Sequence, residues 1–391
     1  MEKSHLKMKR IGLLGLTFSD PNKGCEALTY TFLKVLRDFY SEQDIEIICI
    51  WNSNNFGQIP KYFPELKLEA YVLNIYSVAS WIGAYQKIKT CSCVFDASYG
   101  DGFTGIYGAR RNFVQALRKQ LVCWANKPLY LLPQTYGKYT PIFQKWSISL
   151  IKRAKLAYAR DITTARVVGD FVRVTSDMAF GLPFDKNKYP MSSCKTRIGL
   201  NVSSLLWDEA TVGRFGLTVE YKKFYTELLD YLTNKSEYEV HLIPHVIDVK
   251  NYQSGENDCR ILDEIKSKYG YKVIQAPAFA NCIEAKSYIA NMDIFLGSRM
   301  HATIGAISSG VVTIPFSYCH KFESLYGNIN YPYLISATKI STEEALLQAR
   351  NWINNPETLR NAGIISVEGA KSKLKEFEYD LEESLKKENL I

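Results

Sequence analysis

One stretch of the sequence reads Asp293-Ile-Phe-Leu-Gly-Ser-Arg-Met-His-Ala-Thr-Ile-Gly-Ala-Ile-Ser-Ser-Gly310. Residues 294–296 are a short apolar run typical of a buried strand, and residues 302–308 have the small and apolar residues of a buried helix. Gly297 and Ser298 lie between them, where a turn is expected. A strand, a tight turn and a helix in this order are part of a βαβ unit, from which helix-covered parallel sheets are built.

Short apolar runs alternate with helical periodicity along most of the chain. In the first half, strands are predicted at residues 11–16, 45–51, 70–75, 93–97, 128–133, 156–160 and 172–175. In the second half, they are predicted at residues 198–203, 240–244, 271–275, 294–296 and 311–315. Strands that are apolar on both faces and alternate with helices indicate parallel sheets. We therefore predict an α/β fold with two Rossmann-like, doubly wound parallel-sheet domains facing each other across a cleft.

The domain limits follow from the length and from one interruption of this alternation. A chain of 391 residues favours two domains, since domains usually have roughly 100–200 residues. Residues 181–190 contain glycine, prolines and polar residues, which are typical of a linker. We predict an N-terminal domain at 1–185 and a C-terminal domain at 186–391. Helices predicted at residues 343–352 and 368–385 are expected to pack back on the junction.

The basic residues are concentrated in the first half. Lysine and arginine outnumber aspartate and glutamate by 24 to 15 in residues 1–185, whereas the counts are 24 and 25 in residues 186–391. This surplus indicates contact with something anionic, such as phosphate groups, a lipid diphosphate or the inner leaflet of a membrane. We do not expect nucleic acid as a partner, because no RNA- or DNA-binding motif is present.

The N-terminal residues imitate a signal peptide. Basic residues precede an apolar run at residues 11–18, but this run is short and no small-residue cleavage site follows it. The nine cysteines form no C-x-x-C pair and suit reduced thiols better than a disulfide framework. We expect a cytoplasmic protein, with peripheral contact at the inner face of the membrane as a further hypothesis.

Arg299 and His301 are the strongest candidates for a functional site. They stand where the predicted helix begins, and the positive end of a helix with its unpaired backbone N–H groups favours an anion. An arginine there adds bidentate recognition of phosphate or carboxylate. A histidine beside a bound dianion keeps its proton more readily, which suits a general acid. The alternative is structural, with Arg299 in an ion pair and His301 as a helix cap.

A similar turn follows the first predicted strand and reads Asn22-Lys-Gly24-Cys-Glu26-Ala27. Asn22 or a neighbour is expected to cap the helix that begins there. Glu26 lies in the first turn, where it either complements the helix dipole or binds sugar hydroxyl groups across the cleft. Arg160 ends another predicted strand and is able to point into the crevice.

Two patterns resemble known sites without meeting their requirements. Gly100-Asp-Gly102-Phe-Thr-Gly105 matches G-x-G-x-x-G, but the acidic residue that a dinucleotide site needs about 20 positions further on is missing, so a plain glycine-rich binding loop is predicted.

His241 and His245 lie four residues apart in a predicted strand, where they are separated by roughly 13 Å, too far to share one zinc ion. We predict no metal site. His245 is kept as a candidate because it follows the carboxyl end of a strand, the alternative being a structural histidine.

Taken together, the motifs resemble those of the polysaccharide pyruvyl transferase family over residues 11–325. The matching positions, in chain order, are Asn22-x-Gly24-x-Glu26-Ala27, Gly100-Asp101-x-Phe103 with Ile106-Tyr107-Gly108, Pro133-Gln134-Thr135, Ala159-Arg160-Asp161, Ser176-Asp177-x-Ala179-Phe180, Ile198-Gly199-x-Asn201-Val202-Ser203, Leu242-Ile243-Pro244-His245, Arg299-Met300-His301-Ala302 and Tyr318-x-x-Lys321-Phe322. Gly105 departs from the pattern, because relatives often have an acidic residue there, and Ser98-Tyr99 replace glycines.

The resemblance implies a fold similar to that of GT-B glycosyltransferases and a specific reaction. A pyruvyl group would move from phosphoenolpyruvate onto two hydroxyl groups of one sugar in a bacterial surface polysaccharide or its lipid-linked precursor, forming a cyclic ketal and releasing phosphate. By position, Arg299 would hold donor anions and His301 would be the acid/base. The C-terminal domain would then bind the donor and the basic N-terminal domain the acceptor.

The same resemblance defines the expected site residues. The donor residues would be Arg160, His245, Ser298, Arg299, Met300, His301 and Lys321. The acceptor residues would be Asn22, Gly24, Glu26 and Asp101. No metal or cofactor is expected, since phosphoenolpyruvate is a co-substrate.

Two other functions stay open at this stage. A GT-B glycosyltransferase that uses a nucleotide sugar would share the architecture. A non-catalytic protein that binds glycans or membranes would keep the basic surface. An acceptor carried on a lipid diphosphate would bring the basic first half close to a membrane.

Overall fold

The computed structural model describes residues 9–40, 45–208 and 213–391. These residues form two compact units. Unit 1 comprises the described residues of Met1–Ser19 together with Leu28–Met178 and Lys371–Ile391. Unit 2 comprises Asp20–Ala27 and Ala179–Ala370. Each unit contains one parallel sheet.

The sheet of unit 1 has seven strands, and all its neighbouring strands are parallel. The strands are β1 (Lys9–Leu14), β2 (Ile45–Trp51), β3 (Lys67–Val72), β4 (Cys93–Asp96), β5 (Leu129–Gln134), β6 (Leu156–Ala159) and β7 (Arg173–Val174). Their order across the sheet is β3-β2-β1-β4-β5-β6-β7, so the direction of strand addition reverses between β1 and β4. In open α/β sheets, ligands bind at the carboxyl ends of the strands beside such a reversal.

The sheet of unit 2 has six parallel strands and the same kind of reversal in strand order. They are β8 (Thr196–Asn201), β9 (Tyr238–Leu242), β10 (Val273–Gln275), β11 (Ile294–Gly297), β12 (Val312–Ser317) and β13 (Ile335–Ser336). Their order is β10-β9-β8-β11-β12-β13, with the reversal between β8 and β11. The carboxyl ends of β8 and β11 therefore mark the expected ligand edge of this sheet.

Helices connect the strands of both sheets. They are α1 (Lys23–Phe39), α2 (Ile59–Tyr62), α3 (Val78–Thr90), α4 (Ala109–Trp124), α5 (Pro141–Lys152), α6 (Ile162–Val168), α7 (Ser204–Trp207), α8 (Tyr221–Thr233), α9 (Asp258–Tyr269), α10 (Cys282–Ile289), α11 (Met300–Ser308), α12 (His320–Asn328), α13 (Thr342–Asn354) and α14 (Glu357–Lys387). Helices α1 and α14 contribute residues to both units, since the unit limits fall within them.

The strands are apolar because both faces of each sheet are covered. All six residues of β5 are buried, and so are all six of β12. In unit 2, α8 contributes Phe224, Leu228 and Leu232 to the core, all 0% exposed, from one stripe with helical spacing. Two parallel-sheet α/β units of this kind confirm the predicted fold class.

The limits of the units differ from the predicted domain limit after residue 185. The predicted linker belongs to unit 2, because Lys286 donates a hydrogen bond to the Leu182 carbonyl oxygen at 2.7 Å and the Asp185 backbone N–H donates to Ser287 Oγ at 3.0 Å. The chain passes from unit 1 to unit 2 earlier than predicted, between Met178 and Ala179.

The segment Asp20–Ala27 also belongs to unit 2, although it directly follows a strand of unit 1 in sequence. The Lys23 backbone N–H donates to the His245 carbonyl oxygen at 3.1 Å, and the Ile247 N–H donates to the Pro21 carbonyl oxygen at 2.8 Å. These main-chain hydrogen bonds attach the turn before α1 to the carboxyl end of β9. The predicted acceptor residues of this turn therefore share a unit with Arg299 and His301.

Three further features bear on the class of protein. No helix of the described ranges is long and apolar enough to span a membrane. The described ranges contain no cluster of three or more His, Cys, Asp or Glu side chains that would hold a metal ion, and His241 is hydrogen-bonded to Tyr288 and Glu239. All nine cysteines lie within the described ranges, and none forms a disulfide bond there.

Candidate active site

The turn from β11 to α11 forms as the sequence predicts. Strand β11 ends at Gly297, Arg299 is the extended N-cap residue, and the nine-residue helix α11 begins at Met300. The Arg299 side chain makes no capping hydrogen bond to the first turn of α11. The positive end of the helix dipole is therefore not satisfied by a side-chain oxygen from the N-cap position.

Arg299 is buried and forms an ion pair with Asp258. Its Nη2 and Nε atoms donate to Asp258 Oδ1 at 2.8 and 3.2 Å, and Nη2 also donates to the Glu256 carbonyl oxygen at 2.7 Å. Its backbone N–H donates to Asn201 Oδ1 at 2.9 Å. Burial lowers the pKa of Arg299, but the Asp258 carboxylate outweighs burial and raises it. The structural alternative from the sequence, an ion pair, is thus present.

Asp258 connects several parts of the site. It is the first residue of α9 and is 0% exposed. Its Oδ2 accepts the backbone N–H groups of His245 and Val246 at 3.0 and 2.9 Å, and its Oδ1 accepts that of Ser204 at 3.2 Å. Hydrogen bonds to the charged form stabilise a buried carboxylate. Asp258 therefore fixes both the chain after β9 and the guanidinium group of Arg299.

His301 is the second residue of α11, is partly exposed, and packs directly on Gly24. A Cβ atom added to Gly24 would lie 2.3 Å from His301 Nδ1 and 2.5 Å from its Cγ, far inside van der Waals contact. Only glycine leaves space for the imidazole ring at this point. Gly24, predicted to bind the acceptor, thus makes room for the predicted acid/base.

The turn before α1 is held by its own side chains. Asn22 Oδ1 accepts the Gly24 backbone N–H at 2.9 Å, which confirms that Asn22 caps α1. The Lys23 ammonium group donates to the Asp20 carbonyl oxygen at 3.0 Å and to Glu26 Oε1 at 3.2 Å. The cap and the lysine together keep Gly24 against the histidine ring.

Glu26 is 2% exposed and has both carboxylate oxygens engaged. Oε1 also accepts the Asp20 backbone N–H at 3.0 Å, and Oε2 accepts the Cys282 N–H, at the first residue of α10, at 3.1 Å. Burial raises the pKa of Glu26 to about 7, despite the opposing charge of Lys23. The predicted binding of sugar hydroxyl groups stays a prediction; the contacts observed are with the protein itself.

A small cavity lies in unit 2 beside these residues. Its free volume is about 10 Å³, enough for roughly one water molecule. The residues around it include Lys23, His245, His301, Lys286 and Cys282, but the surface that they present to the cavity is mostly apolar. The cavity therefore brings His245 and His301 close together without itself being a site for a larger anion.

His245 is 5% exposed, and neither of its ring nitrogens has a hydrogen-bond partner among the described residues. Burial lowers its pKa well below the usual value, and the charges of His301, Arg299 and Lys23 lower it further. Its imidazole is therefore neutral near pH 7. A buried polar ring of this kind that lines a cavity is a candidate ligand group, because an unsatisfied buried polar group is costly.

Arg160 lies in unit 1 and is surrounded by carboxylates. Its Nη1 donates to Asp177 Oδ2 at 2.9 Å and its Nε to Thr135 Oγ1 at 2.8 Å. Burial lowers the pKa of this arginine, but three carboxylates outweigh burial and raise it: those of Asp177, Asp101 and Asp161. Much of its charge is thus compensated within unit 1, which weakens its predicted role as a holder of donor anions.

The loop after β4 contains the predicted glycine-rich segment and Asp101. Below it, Lys119 and Asp96 form an ion pair at 2.9 Å with both side chains 0% exposed. The Asp101 carboxylate accepts the Tyr107 hydroxyl at 2.7 Å. A Cβ atom added to Gly105 would lie 2.0 Å from the Lys138 carbonyl oxygen, so this loop has no space for the acidic residue that relatives often have there.

The remaining predicted donor residues have different surroundings. Ser298 is 0% exposed, and its hydroxyl oxygen is hydrogen-bonded to the Tyr221 and Tyr225 hydroxyls at 2.8 Å each, so its contacts hold the turn. Met300 and Lys321 are partly exposed, in the first turns of α11 and α12.

The predicted residues divide between the units. Unit 2 contains Asn22, Gly24, Glu26, His245, Ser298, Arg299, Met300, His301 and Lys321. Unit 1 contains Arg160 and Asp101. The sequence analysis did not predict roles for Lys23 and Asp258. Lys23 lies inside the Asn22–Gly24 motif but was not assigned a function. Asp258 has no local sequence signal, because its partner Arg299 is 41 residues away.

The family model for polysaccharide pyruvyl transferase matches residues 22–320, about three quarters of the chain. The chain belongs to the polysaccharide pyruvyl transferase family. The match begins at the cap of α1 and extends past the β11–α11 turn, so it contains both turns of the site. The family named from the motifs is confirmed. A search of curated proteins gave no match.

Solved structures show which fold this pyruvyl transferase family member has. UDP-GlcNAc 2-epimerase from Neisseria meningitidis has a TM-score of 0.63 and 10% identity, covering 97% of this chain and 100% of that one. Anabaena Alr3699/HepE has a TM-score of 0.60 and 11% identity, covering 97% and 99%. Trehalose 6-phosphate synthase from Burkholderia multivorans has a TM-score of 0.55 and 7% identity, covering 97% and 98%. At these identities the likeness concerns the fold, and it confirms the GT-B type.

Proposed function

We propose that this protein transfers a pyruvyl group from phosphoenolpyruvate onto two hydroxyl groups of one sugar. The product is a cyclic ketal on a bacterial surface polysaccharide or on its lipid-linked precursor, and phosphate is released. Membership of the pyruvyl transferase family supports the reaction class. The fold alone would not, since GT-B folds serve several chemistries.

The observation that supports this proposal best is the position of His301. Its ring lies at the positive end of α11, against Gly24, and lines one cavity with Lys23 and His245. An imidazole beside a lysine and a helix N-terminus can bind an anion and also donate a proton to it.

Phosphoenolpyruvate carries a phosphate and a carboxylate, so it needs cationic groups and N–H donors. We assign these to the first turn of α11 and to His245, and Lys23 stays a candidate because Glu26 already accepts from its ammonium group at 3.2 Å. Arg299 acts as a positioning residue, because Asp258 engages its guanidinium group and Asn201 its backbone N–H. Arg160, Met300 and Lys321 stay candidates for further donor contacts, and Asp101 for the acceptor.

The chemistry proceeds through the enol carbon atoms of the donor. His301 protonates the methylene carbon, which makes C2 electrophilic. One sugar hydroxyl group adds to C2 and loses its proton. The C2–O bond to phosphate then breaks, the second hydroxyl group adds to C2 and closes the ring, and its proton leaves with the phosphate as hydrogen phosphate. Neutral His245 can accept a hydroxyl proton. No step draws on a metal or a redox cofactor.

Phosphate release from phosphoenolpyruvate tests this function. The acceptors to screen are α- and β-linked galactosides, glucosides and mannosides with a lipid-like aglycone. We expect release only with an acceptor, and we expect His301→Ala to lower kcat by about 10²–10⁴-fold, the usual contribution of a general acid. His320→Ala is the matched control, because its side chain is 66% exposed on α12. Full activity of His301→Ala would remove His301 from its role.

A second function has one observation in its favour. The N. meningitidis epimerase structure contains UDP-GlcNAc, and the Anabaena structure contains UDP and glucose. A nucleotide-sugar transferase on the same fold would hydrolyse or be protected by a nucleotide sugar and would ignore phosphoenolpyruvate. Thermal protection by UDP-sugars without any protection by phosphoenolpyruvate would select that function.

A further inference from the structure

Three consecutive helices of unit 1 contain no acidic residue. They are α3, α4 and α5, and they carry eight lysines and arginines. From residue 70 to residue 160 the chain has 13 lysines and arginines and two aspartates, so this segment has a net charge of 13 − 2 = +11, against +8 for the whole chain. One of the two, Asp96, is fully buried with Lys119. The segment itself therefore brings little negative charge to the surface, although Glu69 of β3 pairs with Lys87 of α3.

An apolar groove lies between α3 and α4. Its volume is about 500 Å³, and its lining includes Val78, Trp81, Ile82, Leu117, Leu121 and Trp124. Three of these side chains are largely exposed: Val78 by 76%, Ile82 by 56% and Trp124 by 60%. Exposed apolar patches with a polar rim mark interaction sites on soluble domains.

The rim of this groove pairs cations with aromatic rings. The Arg110 guanidinium group lies 4.6 Å from the ring centre of Tyr76, which is 79% exposed, and the Lys89 ammonium group lies 5.8 Å from that of Tyr85. Elsewhere in the first turn of α4, Arg111 lies over Tyr107 in the same way. Tyrosine, tryptophan, lysine and arginine are the residues that settle at the boundary between lipid headgroups and acyl chains.

We propose that this surface of α3 and α4 docks unit 1 on an anionic lipid bilayer, with the groove receiving apolar chain and the rim receiving lipid phosphates. Two observations favour lipid over nucleic acid. The exposed groove residues include the aliphatic Val78 and Ile82, which offer no stacking surface to a base. The excess of basic over acidic residues complements an anionic leaflet, where each lysine or arginine strengthens binding. The inference is independent of the chemistry in unit 2.

Sedimentation of the full chain with vesicles tests this inference. One set contains phosphatidylcholine with phosphatidylglycerol, and the other contains phosphatidylcholine alone. We expect strong partitioning to the anionic vesicles that falls with salt. The double variant Arg110→Gln/Arg111→Gln should lower the partition coefficient about 30-fold, at ~1 kcal/mol for each basic residue near the membrane. The double variant Ile82→Ser/Trp124→Ser should lower it by tenfold or more, because two apolar side chains are no longer buried in the bilayer.

Matched controls lie on unit 2. Lys222→Gln/Arg360→Gln removes two exposed charges, and Leu347→Ser removes an apolar side chain that is 70% exposed. Both control variants should leave partitioning to the vesicles unchanged. Circular dichroism of every variant checks that it is folded. Equal loss in the control variants, or no loss in the groove variants, would overturn the proposal. Binding to a single-stranded oligonucleotide without binding to anionic vesicles would also overturn it and would assign the surface to nucleic acid.

Discussion

Gly24 lies against the imidazole ring of His301, and this contact leads to a prediction for a single residue. Gly24→Ala would put a methyl group 2.3 Å from Nδ1, so the ring has to move. We expect phosphate release to fall by tenfold or more, since small displacements of a positioned acid cost about 10²-fold. Gly327→Ala is the control, because this exposed helical glycine has nothing within 4 Å of an added Cβ. It should keep full activity and gain up to about 1 kcal/mol of stability. Equal kinetics of the two variants would contradict the account.

Glu26 gives the stability of the protein a pH dependence. Burial raises its pKa to about 7 from the ordinary 4.5, so between these pH values the folded protein binds a proton that the unfolded chain releases. The free energy of unfolding therefore falls as pH rises from about 4.5 to 7, by roughly 3 kcal/mol from this group.

Urea unfolding at pH 5 and pH 8 measures this contribution. Glu26→Gln should flatten the fall, because the amide does not titrate. Glu264→Gln is the control, because the carboxylate that it removes is 51% exposed on α9. This variant should show the same change in unfolding free energy between pH 5 and pH 8 as the wild type. A Glu26→Gln variant with the wild-type slope would show that Glu26 does not titrate in this range.

At the scale of elements, Asp258 joins the start of α9 to the end of β9 and to the β11–α11 turn. Asp258→Ala removes the acceptor of three backbone N–H groups and leaves Arg299 buried without its counter-ion. Breaking a buried pair in this way costs about 3–5 kcal/mol. Thermal unfolding should show this loss, whereas Glu264→Gln on the same helix should cost less than about 1 kcal/mol. A loss below 1 kcal/mol for Asp258→Ala would contradict the structural role given to it.

The elements that the sequence predicts are those with local signals. Every predicted strand overlaps an observed one, and β2 has the predicted bounds, because an apolar run buried on both faces is visible in the sequence. Strand β13 was not predicted, since its two residues are too few to show a period. The turn from β11 to α11 and the Asn22 cap were predicted from local spacing alone.

The contacts that the sequence did not predict join distant residues. Asp20–Ala27 belongs to unit 2 because its partners are at residues 245–247, more than 200 positions away. For the same reason, the sequence ranked Arg299 as a free anion holder, whereas the structure pairs it with Asp258. Local patterns reveal where a side chain stands on its element, and only the tertiary structure reveals what already neutralises it.

In the molecule as a whole, we assign different tasks to the two units. Unit 2 holds the turns around His301, Gly24 and Lys23, which we connect with the chemistry. Unit 1 holds the basic helices α3 and α4, which we connect with lipid. The two assignments are tested separately, because vesicle binding needs no turnover and turnover on a water-soluble acceptor needs no vesicle.

In the reaction that we propose, the carbon atoms of phosphoenolpyruvate, and not a sugar from a nucleotide, are transferred. Nuclear magnetic resonance with phosphoenolpyruvate labelled with ¹³C at every carbon, together with an acceptor from the galactoside, glucoside and mannoside series, follows those atoms directly. We predict that all three labelled carbons appear on the sugar as a cyclic ketal, in equal amount to the phosphate released, and that His301→Ala forms the ketal about 10²–10⁴-fold more slowly. Unlabelled acceptor after exhaustive reaction, with glycosyl transfer from a UDP-sugar in its place, would contradict this prediction.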